Sequence, residues 1–406
     1  MVTYWIAAAV WGISSVVWVE MVRDLYHVLS HYWSPLYRLH SWHHRVFRSD
    51  LTRVSEPMYR QANLYNDVPE SVVMLLLSLL VGWFAYLWAP AQLLPALAGS
   101  VYSLVFLAGA IARSTGIQGA DELTDKTHLT GSFLSPPVSW TVNRPYHWKH
   151  HFDNPKAYYS STFTFLDKLM GTAVSLKGKT IAVTGASGTL GKALLQHLYL
   201  REAKLIALTS QEQTINLTVN GETLPVKTIT WQVGQESDLA AQLQQVDILI
   251  LNHGINLHGE RSEDAIAKSY EINTFSSWRL LELFLATVKT NKDIACKEVW
   301  VNTSEAEVFP ALSPLYELSK RALGDLVTLR RLDAPCVIRK LILGPFKSSL
   351  NPIGVMSADW VAQQIINLAV RDVRNIIVTI NPLTFVTFPL KEFWAGLYFK
   401  LFSKKG

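Results

Sequence analysis

Two uncharged apolar stretches, almost touching, limit what this chain can fold into. Ser71–Ala89 has 19 residues and Leu93–Ala112 has 20, and neither holds a charge. Each matches the length of a bilayer-crossing helix. Only Pro90, Ala91 and Gln92 separate them, so they read as a tight membrane hairpin. A third stretch, Tyr4–Met21, is apolar except for Glu20. It lacks a basic flank and a small-residue cleavage site, so it is expected to remain as a span.

Nine of the 12 histidines precede residue 152. They form three groups and one outlier: His27 and His31; His40, His43 and His44; His147, His150 and His151; and His128 between the last span and the third group. Spacings of three and four residues put side chains on one helical face. Pro35 separates the first two groups, and Asn143 with Pro145 suits the start of a helix carrying the third. Eight clustered imidazoles exceed the needs of one metal ion, and imidazole suits iron, zinc or copper. Two spans lie between the second and third groups, so parity returns them to one side of the membrane. Arg23, Arg38, Arg45, Arg48, Arg53 and Arg60 share that side, which is therefore expected to be cytoplasmic.

The order HxxxH, HxxHH, hairpin, HxxHH resembles the fatty acid hydroxylase and sterol desaturase superfamily. The run from Tyr158 and Tyr159 through Asp167 to Gly171 and Thr172 is similar to the end of that family's domain. The resemblance covers about 1–172, with three spans here where many relatives have four. It implies an all-α integral membrane di-iron domain with the nine histidines as ligands. It also implies a lipid substrate, dioxygen, and an external electron carrier such as ferredoxin or a b-type cytochrome. Oxidation of an unactivated C–H bond needs redox chemistry that side chains lack.

Beyond Lys179 the pattern changes to soluble α/β sequence. Thr180–Thr184 reads as a strand and is followed by Gly185, Gly188 and Gly191, then by a helical pattern to Tyr199. Such a glycine turn lets main-chain amides approach a pyrophosphate at a helix N-terminus. Asp247–Gly254 and Val299–Ser304 read as strands ending in polar turns, Asn273 lies on a helical stretch, and Tyr316 and Lys320 share a helix face.

In this order the elements resemble the short-chain dehydrogenase/reductase family over about 176–381. The resemblance implies a Rossmann-type doubly wound parallel sheet binding NADP or NAD. Thr184, Gly185, Ser187, Gly188, Thr189, Leu190, Gly191, Thr209, Ser210, Asn252 and Gly254 would contact the cofactor, with Tyr316 and Lys320. In catalysis, Tyr316 would exchange a proton with a substrate alcohol or carbonyl, aided by the Lys320 ammonium. Ser304 would hold the substrate oxygen, and Asn273 a relay water or local backbone. Three departures stand out. Thr189 occupies a common glycine position, Asn252-His253-Gly254-Ile255 replaces Asn-Asn-Ala-Gly, and Ser304 precedes Tyr316 by one residue fewer than usual, leaving Thr303 as a substitute. No acidic residue ends the second strand, Leu205–Leu208, and the hydroxyls of Thr209 and Ser210 favour NADP. Arg201 and Lys204 are candidate helpers.

The formal charge of +5 comes without a dense basic block, which argues against nucleic-acid binding and suits anionic lipid headgroups. Cys296 and Cys336 form no CxxC pair and are expected as reduced thiols. The domains are expected at 1–173, 176–381 and an amphipathic tail at 382–406. That tail, containing Pro389, Lys391 and Glu392, reads equally as an interfacial helix or a packed terminal one. The whole resembles tandem proteins described as bifunctional sterol desaturase/short-chain dehydrogenase. It implies a multi-pass enzyme that hydroxylates or desaturates a sterol, fatty acyl or terpenoid lipid and interconverts the resulting alcohol or carbonyl. Two alternatives are a lone oxygenase with a non-catalytic nucleotide domain, and a membrane-anchored nucleotide sensor with a structural metal.

Overall fold

The computed structural model describes residues 1–219 and 221–404. The chain forms two compact units, Met1–Ala173 and Val174–Gly406.

The first unit is helical. Three helices are long and apolar enough to cross a membrane: α1 (Val2–Tyr32), then, after the short α2 (Ser34–Arg45), α3 (Glu56–Trp88) and α4 (Pro90–Thr115). All extend past the expected apolar stretches. α1 continues to Tyr32 and carries His27 and His31 in its last turns. α3 contains a π-helical turn, Asn63–Asp67, before its apolar section. Small residues let the helices approach closely. A Cβ on Gly99 of α4 would lie 2.5 Å from the Ser15 carbonyl oxygen of α1. Ser78 of α3 donates to Ser100 of α4 at 2.9 Å. Leu76, Trp83, Phe84, Leu104 and Val105 remain exposed, which in a helical bundle suits a lipid surround. Beyond α4 come α5 (Arg144–Phe152) and α6 (Phe165–Met170). Asn143 caps α5 by accepting from the Tyr146 amide, and Pro145 lies in its first turn.

The second unit is a doubly wound α/β domain. Its strands are β1 (Thr180–Thr184), β2 (Lys204–Thr209), β3 (Asn216–Val219), β4 (Glu222–Pro225), β5 (Lys227–Thr230), β6 (Ile248–Leu251), β7 (Glu298–Asn302), β8 (Val337–Leu343) and β9 (Asn375–Val378). Seven form a sheet in the order β5-β2-β1-β6-β7-β8-β9, while β3 and β4 make a separate hairpin. Every pairing within the large sheet is parallel. Parallel strands are covered on both faces, so they read as unbroken apolar runs. On β1, Ile181 and Val183 face a layer with α7 (Thr189–Tyr199), while Ala182 faces one with α8 (Ser276–Leu285) and α9 (Pro314–Arg330). The helix α10 (Ala358–Ala369) completes the first layer. Strand order reverses between β1 and β6, where a crevice opens at the carboxyl ends of the strands. Cys296 and Cys336 are buried thiols.

The tail is a continuous helix, α11 (Thr384–Phe402), with Pro389 inside it. Its beginning is docked onto the second unit. Phe388 is fully buried, Lys391 pairs with Glu307 at 2.7 Å, and Glu392 pairs with Lys340 at 2.8 Å and Arg331 at 3.0 Å. The charges that weaken the reading of this segment as a span are thus used in packing.

Candidate metal centre and nucleotide cleft

All nine early histidines converge into two groups. His27, His31, His40, His44 and His150 form one; His43, His128, His147 and His151 form the other. Within each, the ligand atoms lie within 4.8 Å of one another. Their positions follow from helix spacing. His27 and His31 end α1, His40 and His44 are one turn apart on α2, and α5 presents the third comb. The chain turns at Trp33, in extended conformation, so that α2 folds back beside α1.

The donor set fits metal ions. A metal–imidazole bond of about 2.1 Å puts neighbouring ligands about 3.0 Å apart at right angles and about 3.4 Å apart tetrahedrally. In the five-histidine group, His150 Nε2 lies 3.0 Å from His27 Nε2 and 3.2 Å from His31 Nε2. His44 Nε2 lies 3.0 Å from His40 Nε2 and 3.4 Å from His31 Nε2. In the other group, His147 Nε2 lies 2.9 Å from His128 Nε2 and 3.1 Å from His151 Nε2. Burial pulls the His40 imidazole down to about 4 and holds His43, His147, His150 and His151 well below the ordinary value. Neutral imidazole is the form that binds metal.

Partners absent from the sequence reading orient these rings through Nδ1, as metal ligands require. His27 Nδ1 donates to the Tyr159 carbonyl at 2.7 Å and His150 Nδ1 to the Ala157 carbonyl at 2.8 Å. His40 Nδ1 meets Asn66 Oδ1 at 2.9 Å, from the π-helical turn of α3. His128 Nδ1 meets Asp125, and Phe47 stacks on its ring at 4.4 Å. Burial alone would raise the Asp125 carboxyl, but His128, Arg113 and Tyr59 hold it well below the usual carboxylate range.

The carbonyl-bearing segment is itself clamped. Asp167 accepts from the Tyr159 and Ser160 amides at 2.9 and 2.7 Å, from Tyr146 at 2.8 Å and from Thr172 at 2.6 Å. Asp24 accepts from the Ser161 amide at 2.8 Å. The spacing of Asp125 from His128 was a readable signal. Asn66 and Asp167 act across long sequence separations that spacing cannot show.

The crevice of the second unit is a cleft of about 1170 Å³. Gly185, Ser187, Gly188, Thr189, Leu190, Thr209, Ser210, Asn252, Gly254, Ser304, Tyr316 and Lys320 line it. Thr184 and Gly191 stand behind. The Thr184 hydroxyl accepts from the Asn252 amide at 2.8 Å and contacts His253 Nδ1 at 2.9 Å. Gly185 has φ of +62°, and a Cβ there would lie 2.9 Å from His253 Cα. At Gly191 a Cβ would lie 2.3 Å from the Gly185 carbonyl oxygen. Thr189 opens α7 at the cleft wall. The turn thus offers amides and a helix N-terminus to an anionic group, and fits a dinucleotide pyrophosphate. Thr209 donates to Ser187 at 3.1 Å. Arg201 reaches Asn367 instead, and neither it nor Lys204 lines the cleft.

Tyr316 and Lys320 lie one turn apart on α9. Tyr316 is half-buried, and burial raises its phenol while the nearby Ser304 hydroxyl opposes the rise. Ser304, not Thr303, meets Tyr316; the Thr303 hydroxyl turns to the Leu341 carbonyl at 3.4 Å. Burial lowers the Lys320 ammonium to about 8, and it donates to the Asn302 carbonyl at 2.9 Å. Asn273 is fully buried in a second π-helical turn, Glu271–Phe275. It clasps Ile255, accepting from its amide at 2.8 Å and donating to its carbonyl at 3.0 Å. His253 also lines the cleft, its ring nitrogens at 2.9 Å from the Thr184 hydroxyl and 3.2 Å from the Ser276 hydroxyl; burial and the Lys320 charge lower its imidazole to about 3.

This sheet, glycine turn and Ser-Tyr-Lys set define a short-chain dehydrogenase type of domain, and residues 179–335 match the short chain dehydrogenase family model. Over its whole length the chain is 58% identical, across 409 residues covering 100% of both sequences, to the monoglucosyldiacylglycerol epimerase of Synechocystis sp.. The chain belongs to the same family as that protein. Among solved structures, a short chain dehydrogenase from Burkholderia cenocepacia J2315 in complex with NADP aligns at 18% identity and TM-score 0.45, covering 57% of this chain and 100% of that one. An alcohol dehydrogenase from Thermococcus sibiricus complexed with 5-hydroxy-NADP aligns at 20% identity and TM-score 0.41, covering 50% and 96%.

Proposed function

We propose that this chain is a multi-pass membrane enzyme that uses NADP or NAD to epimerise a carbinol carbon in the sugar of a glycosyldiacylglycerol. The observation that carries this reading is 58% identity, end to end, with a monoglucosyldiacylglycerol epimerase. The second unit has the groups the chemistry needs. When bound, nicotinamide would supply reversible hydride exchange at the carbinol carbon; the sugar would be inverted, with no net oxidation, if its transient ketone turned over in the cleft before reduction. Tyr316 would take the hydroxyl proton as the ketone forms and give it back as hydride returns. Ser304, which lines the cleft with Tyr316, would hold the same oxygen. Lys320 would contribute charge beside both, and Asn273 would fix the Ile255 backbone at the cleft wall. The test is to incubate the purified full chain with monoglucosyldiacylglycerol and substoichiometric NADP, then analyse the released sugars. A new epimer formed in excess of cofactor is expected; unchanged glucose, or one oxidised sugar per cofactor, defeats the reading.

A second activity is favoured by the nine-histidine centre. We infer that it holds two irons and acts on the same lipid class with dioxygen and an external electron carrier. Iron would supply the redox chemistry there; the chain's part is a neutral, oriented imidazole set. The clustered arginines support a cytoplasmic position for these histidines and for the second unit. Metal analysis with lipid profiling of wild type and His150→Ala is the check. An iron-free wild type, with lipids unchanged by the substitution, would remove this reading.

A further inference from the structure

The outer rim of the nucleotide cleft is apolar and exposed to an extent that a water-facing site does not need. Leu312 is 87% exposed, Ile353 81%, Val355 66% and Ile380 62%, and all four line the cleft. From Ile380 and Asn381 the chain leads directly into α11. Past the docked residues Phe388, Lys391 and Glu392, that helix leaves Phe393, Trp394, Tyr398, Leu401 and Phe402 exposed. Rim and helix, adjacent along the chain, both expose large apolar side chains, and a large exposed apolar patch marks an interaction site.

Three observations select a lipid bilayer as its occupant. The exposed rim residues line the cleft that would receive the substrate, and α11 begins at Thr384, just after Ile380, the last of them. The composition is interfacial: exposed aromatics accompany Lys400 and Lys404, which complement anionic headgroups. The unit is also joined, through Val174, to a chain segment whose three helices are long and apolar enough to cross a membrane. The cleft exceeds the range of about 300–1,000 Å³ usual for one small ligand, leaving room for a headgroup beside a dinucleotide.

We propose that the cleft rim and α11 form one membrane-docking surface. The glycolipid headgroup enters the cleft while its acyl chains stay in the bilayer. The headgroup part rests on the epimerase reading; the docking itself does not.

The test uses the full chain in nanodiscs of phosphatidylcholine and phosphatidylglycerol containing doxyl-labelled phosphatidylcholine. One cysteine at a time is introduced, Ile353→Cys, Leu401→Cys or, as a control on β4, Glu222→Cys, and carries an NBD fluorophore, with the unsubstituted chain and its buried Cys296 and Cys336 as the labelling blank. Quenching at residues 353 and 401 about two-fold or more above that at residue 222 is expected for apolar groups seated in the interface. Equal quenching at all three positions, or none at 353 and 401, overturns the proposal and would point to a protein partner or a second copy. Since the readout needs no turnover, it is repeated in a Tyr316→Phe background. Docking that persists where epimerisation fails separates the two claims.

Discussion

The Lys320 ammonium lies 2.9 Å from the main-chain carbonyl oxygen of Asn302, the last residue of the strand leading to Ser304. This bond ties α9 to the end of β7 and keeps a buried charge beside Tyr316. Burial lowers the ammonium from 10.5 to about 8, so the charged form is disfavoured by folding. The unfolded chain then binds more protons between these values, and stability contributed by this group rises as pH climbs from about 8 to 10.5. Dinucleotide affinity is expected to move oppositely, weakening above about 8 as the charge is lost. NADPH fluorescence titrations on both sides of that value check it. A flat wild-type profile, or one unchanged in Lys320→Met, contradicts the assignment.

Tyr316→Phe removes the proton-transferring hydroxyl while keeping the ring. Turnover is expected to fall by about 10²- to 10⁴-fold, with the melting temperature nearly unchanged. Retained turnover would assign the proton to another group.

The glycine turn offers a contrast between two similar changes. Gly191→Ala places a methyl group 2.3 Å from the Gly185 carbonyl oxygen. Gly188→Ala meets only that same oxygen, at 3.2 Å. The first change should cost roughly 1–3 kcal/mol or more of stability through overpacking. The second should leave the fold intact and weaken only NADPH binding. Thermal melting of the full chain in detergent, paired with cofactor titration, separates the two effects.

In the metal centre, Asp125→Asn weakens the acceptor that orients His128. Metal affinity is expected to drop by about 10- to 100-fold, with the helices retained. Asp167→Ala should be more severe, since Tyr159, Ser160, Tyr146 and Thr172 all lose their common acceptor. Chelator competition read by bound metal per chain, beside circular dichroism, distinguishes lost affinity from lost fold.

The histidine combs were legible because ligand spacing is local: helix geometry alone aligns His27 with His31 and His40 with His44. Their division into five and four was not, since His43 and His44 are neighbours that serve different groups. That outcome depends on how α2 is rotated, which only packing decides. Buried strands of the second unit were readable as apolar runs between turn residues. The docking of α11 was hidden because Lys391 and Glu392 find Glu307 and Lys340 far away in sequence. Asn273 was recognisable by position, but its clasp on Ile255 required a π-helical turn that no spacing rule announces.

The shared use of α2 and α5 has a consequence for assembly. α2 gives His40 and His44 to one group and His43 to the other, while α5 gives His150 to the first and His147 and His151 to the second. Neither helix can turn to improve one ion's surroundings without disturbing the other's. If the two groups hold irons as proposed, occupancy of the two positions is coupled. A first ion that locks the helices prepares the second position, so singly occupied protein should be scarce at equilibrium.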